Sequence, residues 1–442
     1  MSLVSTSGIR GPVGQTVTVD LAVDLGRVIA TQSGDRVVVG HDPRETSEWL
    51  TDGLTAGLRA CGADVITVGL VPTPTLARAV EWTDADIGVM VTASHNPAEY
   101  NGFKLLEPSG RGVPPDEVRK LVNAIRATAH EPAKWDQSGK ANDQNGMTER
   151  HIAAIADTVG SIESLDVVVD VGNGAGRLTI EALRRIGATV TPLHEEPDGR
   201  FPNRPSEPTP ENCTELQREV QRSDADLGIA LDGDADRMQA TTGTGSFVQG
   251  DILLAIFARE AADPGDRVVA PINTSLAVDD ALKAIGVEVT RTPIGDTYVA
   301  SEAAAADIAF GGEPSGAWIW PDSTLSPDGP MAACRLASLV AHHGSMDALI
   351  DGIDPYPIRR ENVSTEHKHS VMDGVKPAVK DRYGERCTTV DGLFVEFDDG
   401  WFLIRPSGTE PLIRLTAEGE CDDRAEELLE RATELTKEER ER

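Results

Sequence analysis

The sequence predicts an α/β protein: three similar βαβ-type domains with mixed sheets around a central cleft, then a C-terminal α+β domain. Three observations carry this. The chain of 442 residues is too long for one core and should hold three or four domains at roughly 100–200 residues each. A strand–helix–strand pattern occurs three times, each time with a glycine after the last helical turn, where the left-handed backbone that ends a helix suits glycine. Each copy then adds a strand that begins with Asp and runs into a polar loop.

The first copy opens with Val37-Val38-Val39, passes Leu58-Arg59-Ala60-Cys61-Gly62-Ala63 and continues into Val65-Ile66-Thr67-Val68. The second runs from Val167-Val168-Val169 past Leu183-Arg184-Arg185-Ile186-Gly187-Ala188 to Thr189-Val190. The third runs from Val268-Val269-Ala270 past Leu282-Lys283-Ala284-Ile285-Gly286-Val287 to Glu288-Val289. Strands alternating with helical patterns indicate largely parallel pairing. The added strands are Asp86-Ile87-Gly88-Val89, Asp226-Leu227-Gly228-Ile229 and Asp307-Ile308-Ala309-Phe310. If the copies are equivalent, the three loops after them leave their sheets at the same end and face one cleft, where open α/β sheets place ligand chemistry. Trp135 to Met147 is polar and patternless and reads as a linker. Pro197 to Asn212, with five prolines, reads as an ordered extended loop. From about Tyr356 the pattern changes: Leu393–Phe397 and Trp401–Ile404 flank Asp398-Asp399-Gly400 as a hairpin, and Asp422 to Arg442 reads as a final helix. The expected domains are 1–140, 148–248, 249–353 and 356–442.

Composition narrows the function. Asp and Glu total 73 against 41 Lys and Arg, a net charge of −32, and only nine of those cations are Lys. Self-repulsion on that scale weakens a fold at low salt, and molar salt, with a screening length of ~3 Å, relieves it, so a high-salt cytoplasm is expected. Nucleic acid, which requires a basic footprint, is excluded as a partner. No apolar run reaches the ~20 residues of a membrane span, and no signal-peptide pattern opens the chain. Five scattered cysteines without a C-x-x-C pair argue against a disulfide framework or zinc site and for a reducing compartment.

The three loops and one C-terminal loop carry the chemistry. In Thr92-Ala93-Ser94-His95-Asn96-Pro97, Ser94 lies just past a short buried strand and reads as a nucleophile or phosphate carrier, with His95 and Lys104 as proton-transfer candidates. An ordinary lysine would need its pKa depressed from ~10.4 to act as a base near neutrality. Asp232, Asp234 and Asp236 alternate with small residues and can converge on a hard cation such as Mg²⁺. An EF-hand is excluded, because the required Gly is Arg237 and the required Glu is Gly243. The plainer alternative is a solvated acidic turn. Glu313 and Ser315 can take vicinal sugar hydroxyls as acceptor and donor, or mark a turn with a surface acid. Arg405-Pro406-Ser407-Gly408-Thr409 reads as a phosphate cradle, or as an ordinary hairpin turn. Arg10 stands on a Gly-flanked turn near the N-terminus, and the histidines other than His95 read as surface residues. Together these parts describe phosphoryl transfer on a phosphosugar, in which positioning and charge neutralisation do most of the catalysis.

In this order the motifs T-A-S-H-N-P-x-x-x-N-G-x-K, D-G-D-A-D-R, G-E-P-S-G and R-P-S-G-T-E-P resemble the α-D-phosphohexomutase family over nearly the whole chain. The resemblance implies four domains around a cleft, a phosphoserine at Ser94, and Mg²⁺ on Asp232, Asp234, Asp236 and a phosphate oxygen on Ser94. It implies a transfer site lined by Arg10, His95, Lys104 and Arg237. Glu313 and Ser315 would hold sugar hydroxyls, and Arg405, Ser407, Gly408 and Thr409 the non-transferring phosphate. It also implies a hexose 1,6-bisphosphate that forms, turns around and returns its other phosphate to the serine. A monomer or homodimer is expected. Some members carry a sugar-contacting His where this chain has Ala317. The segment Thr292–Val299 and the Glu-Pro-Ser-Gly form are similar to phosphoglucosamine mutases, which points to glucosamine phosphate ahead of mannose or glucose phosphate. A catalytically silent phosphosugar-binding protein and a phosphosugar hydrolase are the competing expectations. The intact Ser94, acid triad and Lys104 oppose the first, and no water-activating residue stands out for the second.

Overall fold

The structure is a computed structural model and describes residues 4–5, 8–407 and 411–440. It contains four sheets, and the first three are variations on one plan. In the second sheet, parallel strands Asp166–Asp170, Thr189–Leu193 and Leu227–Leu231 are joined by an antiparallel strand, Met238–Thr242. In the third sheet, Arg267–Pro271, Glu288–Thr292 and Ile308–Glu313 take the same places, with Ala317–Ile319 antiparallel. The first sheet repeats the order with Arg36–His41, Asp64–Leu70, Ile87–Val91 and antiparallel Tyr100–Leu106. Ile87–Val91 and Leu227–Leu231 are buried at every residue and flanked by packing on both faces, which is why they read as continuous apolar runs. The glycines that follow the first helices, Gly62, Gly187 and Gly286, all sit at positive φ, between 77° and 120°.

Two segments depart from the sequence expectation. Arg10 lies on a strand, Gly8–Pro12, and not on a turn; Ile9 pairs with Phe103 and Arg10 with Gly102. The approach is close because the pair is glycine-rich: a Cβ on Gly102 would stand 2.1 Å from the Ile9 carbonyl oxygen. The linker around 135–147 contributes an exposed edge strand, Ala141–Asp143, to the first sheet. Ala-Asn-Asp has no buried face, so no alternation announces it.

The fourth sheet is antiparallel throughout: Ile358–Ser364, Leu412–Gly419, Gly400–Pro406, Leu393–Phe397 and Cys387–Thr388 lie side by side. The helices Lys368–Tyr383 and Asp422–Arg440 supply buried Val371, Val375, Val379, Leu428 and Ala432 to its core. Its other face meets the third domain through Trp401, Leu403 and Phe394 against Ile272, Leu276 and Ile294. Among the described residues, no helix is long and apolar enough to cross a membrane.

Candidate active site

The first three loops converge as the repeat requires. Ser94 is 1% exposed and its Oγ donates to Asp232 Oδ2 at 2.7 Å, linking the first and second domains. Its backbone is held at φ 48°, a left-handed conformation that costs a non-glycine residue on the order of 1–3 kcal/mol. Neighbours enforce it. The Ser94 amide donates to Thr92 Oγ1 at 2.8 Å, and its carbonyl accepts from Arg44 at 2.8 Å and from Ser206 at 3.2 Å. Arg44, 2% exposed, also donates to the carbonyls of Asn96, Pro97 and Tyr100 and pairs with Asp42, while Asp42 accepts from Thr92 Oγ1. The whole Ser94 loop is therefore wrapped on one guanidinium. On the other side Gly233 has no room for a side chain, since a Cβ would stand 2.6 Å from the Ser94 carbonyl oxygen.

Asp232, Asp234 and Asp236 are buried, which rules out a solvated acidic turn, and each offers a carboxylate oxygen within 4.8 Å of the others. Burial, with Asp234 and Asp236 alongside, pushes Asp232 well above the usual carboxylate range. Burial and Asp234 raise Asp236 as well. Thr73 donates to Asp234 Oδ2 at 2.5 Å, but Asp234 Oδ1 and Asp236 Oδ1 are buried without a hydrogen-bond partner. Orphaned carboxylate oxygens on three mutually repelling acids are the donor set of a hard divalent cation, so the residues present fit Mg²⁺.

Lys104 is 3% exposed and donates to Asp236 at 2.7 Å and to Asp296 at 2.9 Å, so one ammonium ties together three domains. Burial alone would depress its pKa, but Asp236, Asp296 and Asp234 outweigh burial and raise it. In this arrangement the Lys104 ammonium is paired with two carboxylates beside the acid triad. His95 Nδ1 lies 3.2 Å from Ser94 Oγ, and the positive charge of Arg237, then burial and Arg10, hold the imidazole well below its ordinary pKa, hence neutral. Arg237 pairs through its backbone with Ala317 at the seam between the second and third domains.

Glu313 is 5% exposed, not a surface acid, and accepts from the Gly295 amide at 2.7 Å and from Ser315 Oγ at 3.4 Å. Burial and the charge of Asp296 push its carboxyl up to about 7 against the pull of Arg237. Arg405 stands at the rim, its Nε donating to Asp391 at 3.0 Å, while Asp391 also accepts from the Ile294 amide at 3.2 Å. Ser407 is buried beside it, and Lys368 donates to its carbonyl. Gly408 and Thr409 lie outside the described residues.

Sequence reasoning missed the support. Arg44, Asp42, Thr73 and Ser206 carry no motif, Asp296 was given no role within the Thr292–Val299 segment, and their partners lie up to 192 positions away. His151 was expected at the surface and is fully buried: Thr75 Oγ1 lies 2.8 Å from its Nδ1, and Asp328, which also pairs with Arg78, lies 3.0 Å from its Nε2. The surface expectation failed because the helix Met147–Val159 meets both the first domain and the 321–330 segment, and no local pattern reports that.

Profiles of the phosphoglucomutase/phosphomannomutase family match this chain domain by domain: α/β/α domain I over 1–132, II over 149–245, III over 249–356 and the C-terminal domain over 362–435. The chain belongs to the phosphoglucomutase/phosphomannomutase family. A protein of Methanothermobacter thermautotrophicus named probable phosphoglucosamine mutase is 41% identical, over 97% of this chain and 96% of that protein. One of the same name from Methanopyrus kandleri is 42% identical, over 96% and 95%. Among solved structures, a phosphoglucomutase/phosphomannomutase family protein from Burkholderia thailandensis superposes with a TM-score of 0.88 at 29% identity, covering 98% of this chain and 97% of its own. Like its relatives, this phosphohexomutase is an enzyme of phosphoryl transfer, an intramolecular mutase.

Proposed function

We propose that this phosphohexomutase interconverts the 6- and 1-phosphates of glucosamine, using Mg²⁺ and a phosphoserine at Ser94. The hydrogen bond from Ser94 Oγ to Asp232, inside a buried acid triad with two orphaned oxygens, carries the reading. Asp232, Asp234 and Asp236 would hold the ion, which when bound neutralises phosphoryl charge.

The chain's own groups then take these roles. Phosphorylated Ser94 gives its phosphoryl group to the free hydroxyl of a hexose monophosphate. The O–P bond at Ser94 breaks and the new sugar ester forms; the sugar hydroxyl gives up one proton and the freed Ser94 Oγ takes up one, so phosphoryl group and proton change places. The resulting hexose 1,6-bisphosphate turns around, and its other phosphate returns to Ser94. When the serine is the acceptor, Asp232 at 2.7 Å and neutral His95 at 3.2 Å are the groups placed to hold its proton. Lys104, Arg237 and Arg10 supply positive charge along the path, and Lys104, held by Asp236 and Asp296, is also a proton-transfer candidate. Glu313 and Ser315 orient the ring through its hydroxyls. Arg405, Ser407, Gly408 and Thr409 would hold the phosphate that is not moving. Ala317 is 2% exposed and offers no proton, so an acid at that position is absent from this chain.

Two relatives above 40% identity named for glucosamine phosphate support that sugar over glucose or mannose phosphate. The net charge of −32 supports work in a salt-rich cytoplasm. The deciding assay compares kcat/KM on the glucosamine, glucose and mannose phosphates with a bisphosphate primer. A preference for either neutral hexose would overturn the choice of sugar, and binding without turnover would favour a silent phosphosugar-binding protein.

A further inference from the structure

Asp296 lies within the Thr292–Val299 segment, where sequence reasoning assigned it no role of its own. It opens the helix Asp296–Ala303, where aligned backbone amides favour an ionised carboxylate, and its side chain is 12% exposed. The preceding Gly295 gives its amide to Glu313, which sets the end of the strand Ile308–Glu313 against the start of this helix and brings two acids together. The charge of Asp296 is the second cause, after burial, of the raised Glu313 carboxyl. Neutral hydroxyls of a sugar ring are matched by Glu313 and Ser315 alone. Lys104 offsets part of the Asp296 charge, yet that charge still raises Glu313, a repulsion that no hydroxyl relieves and that a positive substituent on the ring would relieve.

We propose that Asp296 is the specificity-determining residue of this site: its carboxylate receives the ammonium group of an amino-sugar phosphate beside Glu313 and so selects that substrate over neutral hexose phosphates. The proposal rests on the glucosamine reading above. The carboxylate already accepts one ammonium, that of Lys104, through Oδ2. A carboxylate has about four lone-pair positions, so a second ammonium is compatible with the first. The same contact gives Asp296 a structural duty toward Lys104, and the two roles separate in the measurement. Loss of the Lys104 contact affects every sugar alike, whereas loss of ammonium recognition affects only the amino sugar.

The test measures kcat and KM on glucosamine, N-acetylglucosamine and glucose phosphates for the unaltered enzyme, Asp296→Asn and Asp296→Glu. The expected result is a preference for glucosamine phosphate that falls at least about tenfold in Asp296→Asn, chiefly through KM, and is partly restored in Asp296→Glu. N-acetylglucosamine phosphate, whose amide is neutral, should behave like glucose phosphate. Equal losses on all three sugars in Asp296→Asn would overturn the proposal and leave the glucosamine reading intact. A preference of the unaltered enzyme for neutral sugars would overturn the reading itself. Should the variants fail to fold, the unaltered enzyme still decides: KM for glucosamine phosphate should rise with pH as the substrate ammonium loses its proton, while KM for glucose phosphate does not follow. Parallel pH profiles would contradict the proposal.

Discussion

Arg44 offers the sharpest test of how the Ser94 loop is built. Its guanidinium donates to four backbone carbonyls, of Ser94, Asn96, Pro97 and Tyr100, and pairs at 3.0 Å with Asp42, whose side chain, like its own, is fully buried. Arg44→Ala leaves the Asp42 charge buried with only hydroxyl and amide partners and strips donors from the carbonyls. Removing one partner of a buried ion pair costs about 3–5 kcal/mol. At roughly 2–4 °C per kcal/mol for a domain of this size, the first domain should melt about 6–20 °C lower. The loop also loses the contact on the Ser94 carbonyl that helps hold φ at 48°, so kcat should fall by on the order of 10²-fold from misplacement of the nucleophile. Arg44→Lys keeps the charge without the planar fork and should recover stability more than turnover. Calorimetry and steady-state kinetics on both variants measure the two effects. An Arg44→Ala protein with unchanged melting and turnover would refute the claim that this guanidinium organises the loop.

Three further outcomes follow from the same geometry. Asp234→Asn removes one of three buried like charges; the metal-free protein should melt higher, while Mg²⁺ affinity by calorimetric titration drops at least about tenfold. Glu313 has its carboxyl raised to about 7, so it gains a proton as pH falls through that value and loses an acceptor for sugar hydroxyls. KM should therefore rise on the acid side, with that limb absent in Glu313→Gln. The same raised value means that the charged form is disfavoured in the fold, so Glu313 withdraws stability as pH climbs from its unfolded range near 4.5 toward 7. Finally, with −32 charges on 442 residues, unfolding in urea should require more denaturant in molar KCl than in dilute buffer.

The chemistry-bearing residues were legible because their spacing is local. Asp232, Asp234 and Asp236 sit on one turn, and Ser94 directly follows a buried strand. The repeat was legible because each copy reuses one apolar strand and one glycine stop, and the shared strand order then brings the loops together. What the sequence concealed depends on partners distant along the chain. Arg44 reads as an ordinary surface cation until Ser94 and Tyr100 fold over it. Asp296 acquires meaning only beside Lys104 and Glu313. Lys104 was expected as a proton-transfer candidate, but its two carboxylate partners, Asp236 and Asp296, lie 132 and 192 positions away and could not be read from its own segment. His151 and the short strands Gly8–Pro12 and Ala141–Asp143 were missed for lack of length or pattern, since two or three apolar positions cannot establish a period.

The central claim is that Ser94 carries the phosphoryl group between the two positions of the sugar. Intact-mass and peptide mass spectrometry after incubation with a hexose 1,6-bisphosphate test it directly. The account predicts a species about 80 Da heavier, with the added mass on Ser94, chased off by hexose monophosphate and missing in an inactive Ser94→Ala enzyme. A Ser94→Ala enzyme that still turns over, or a phosphate that accumulates on another residue, would contradict it.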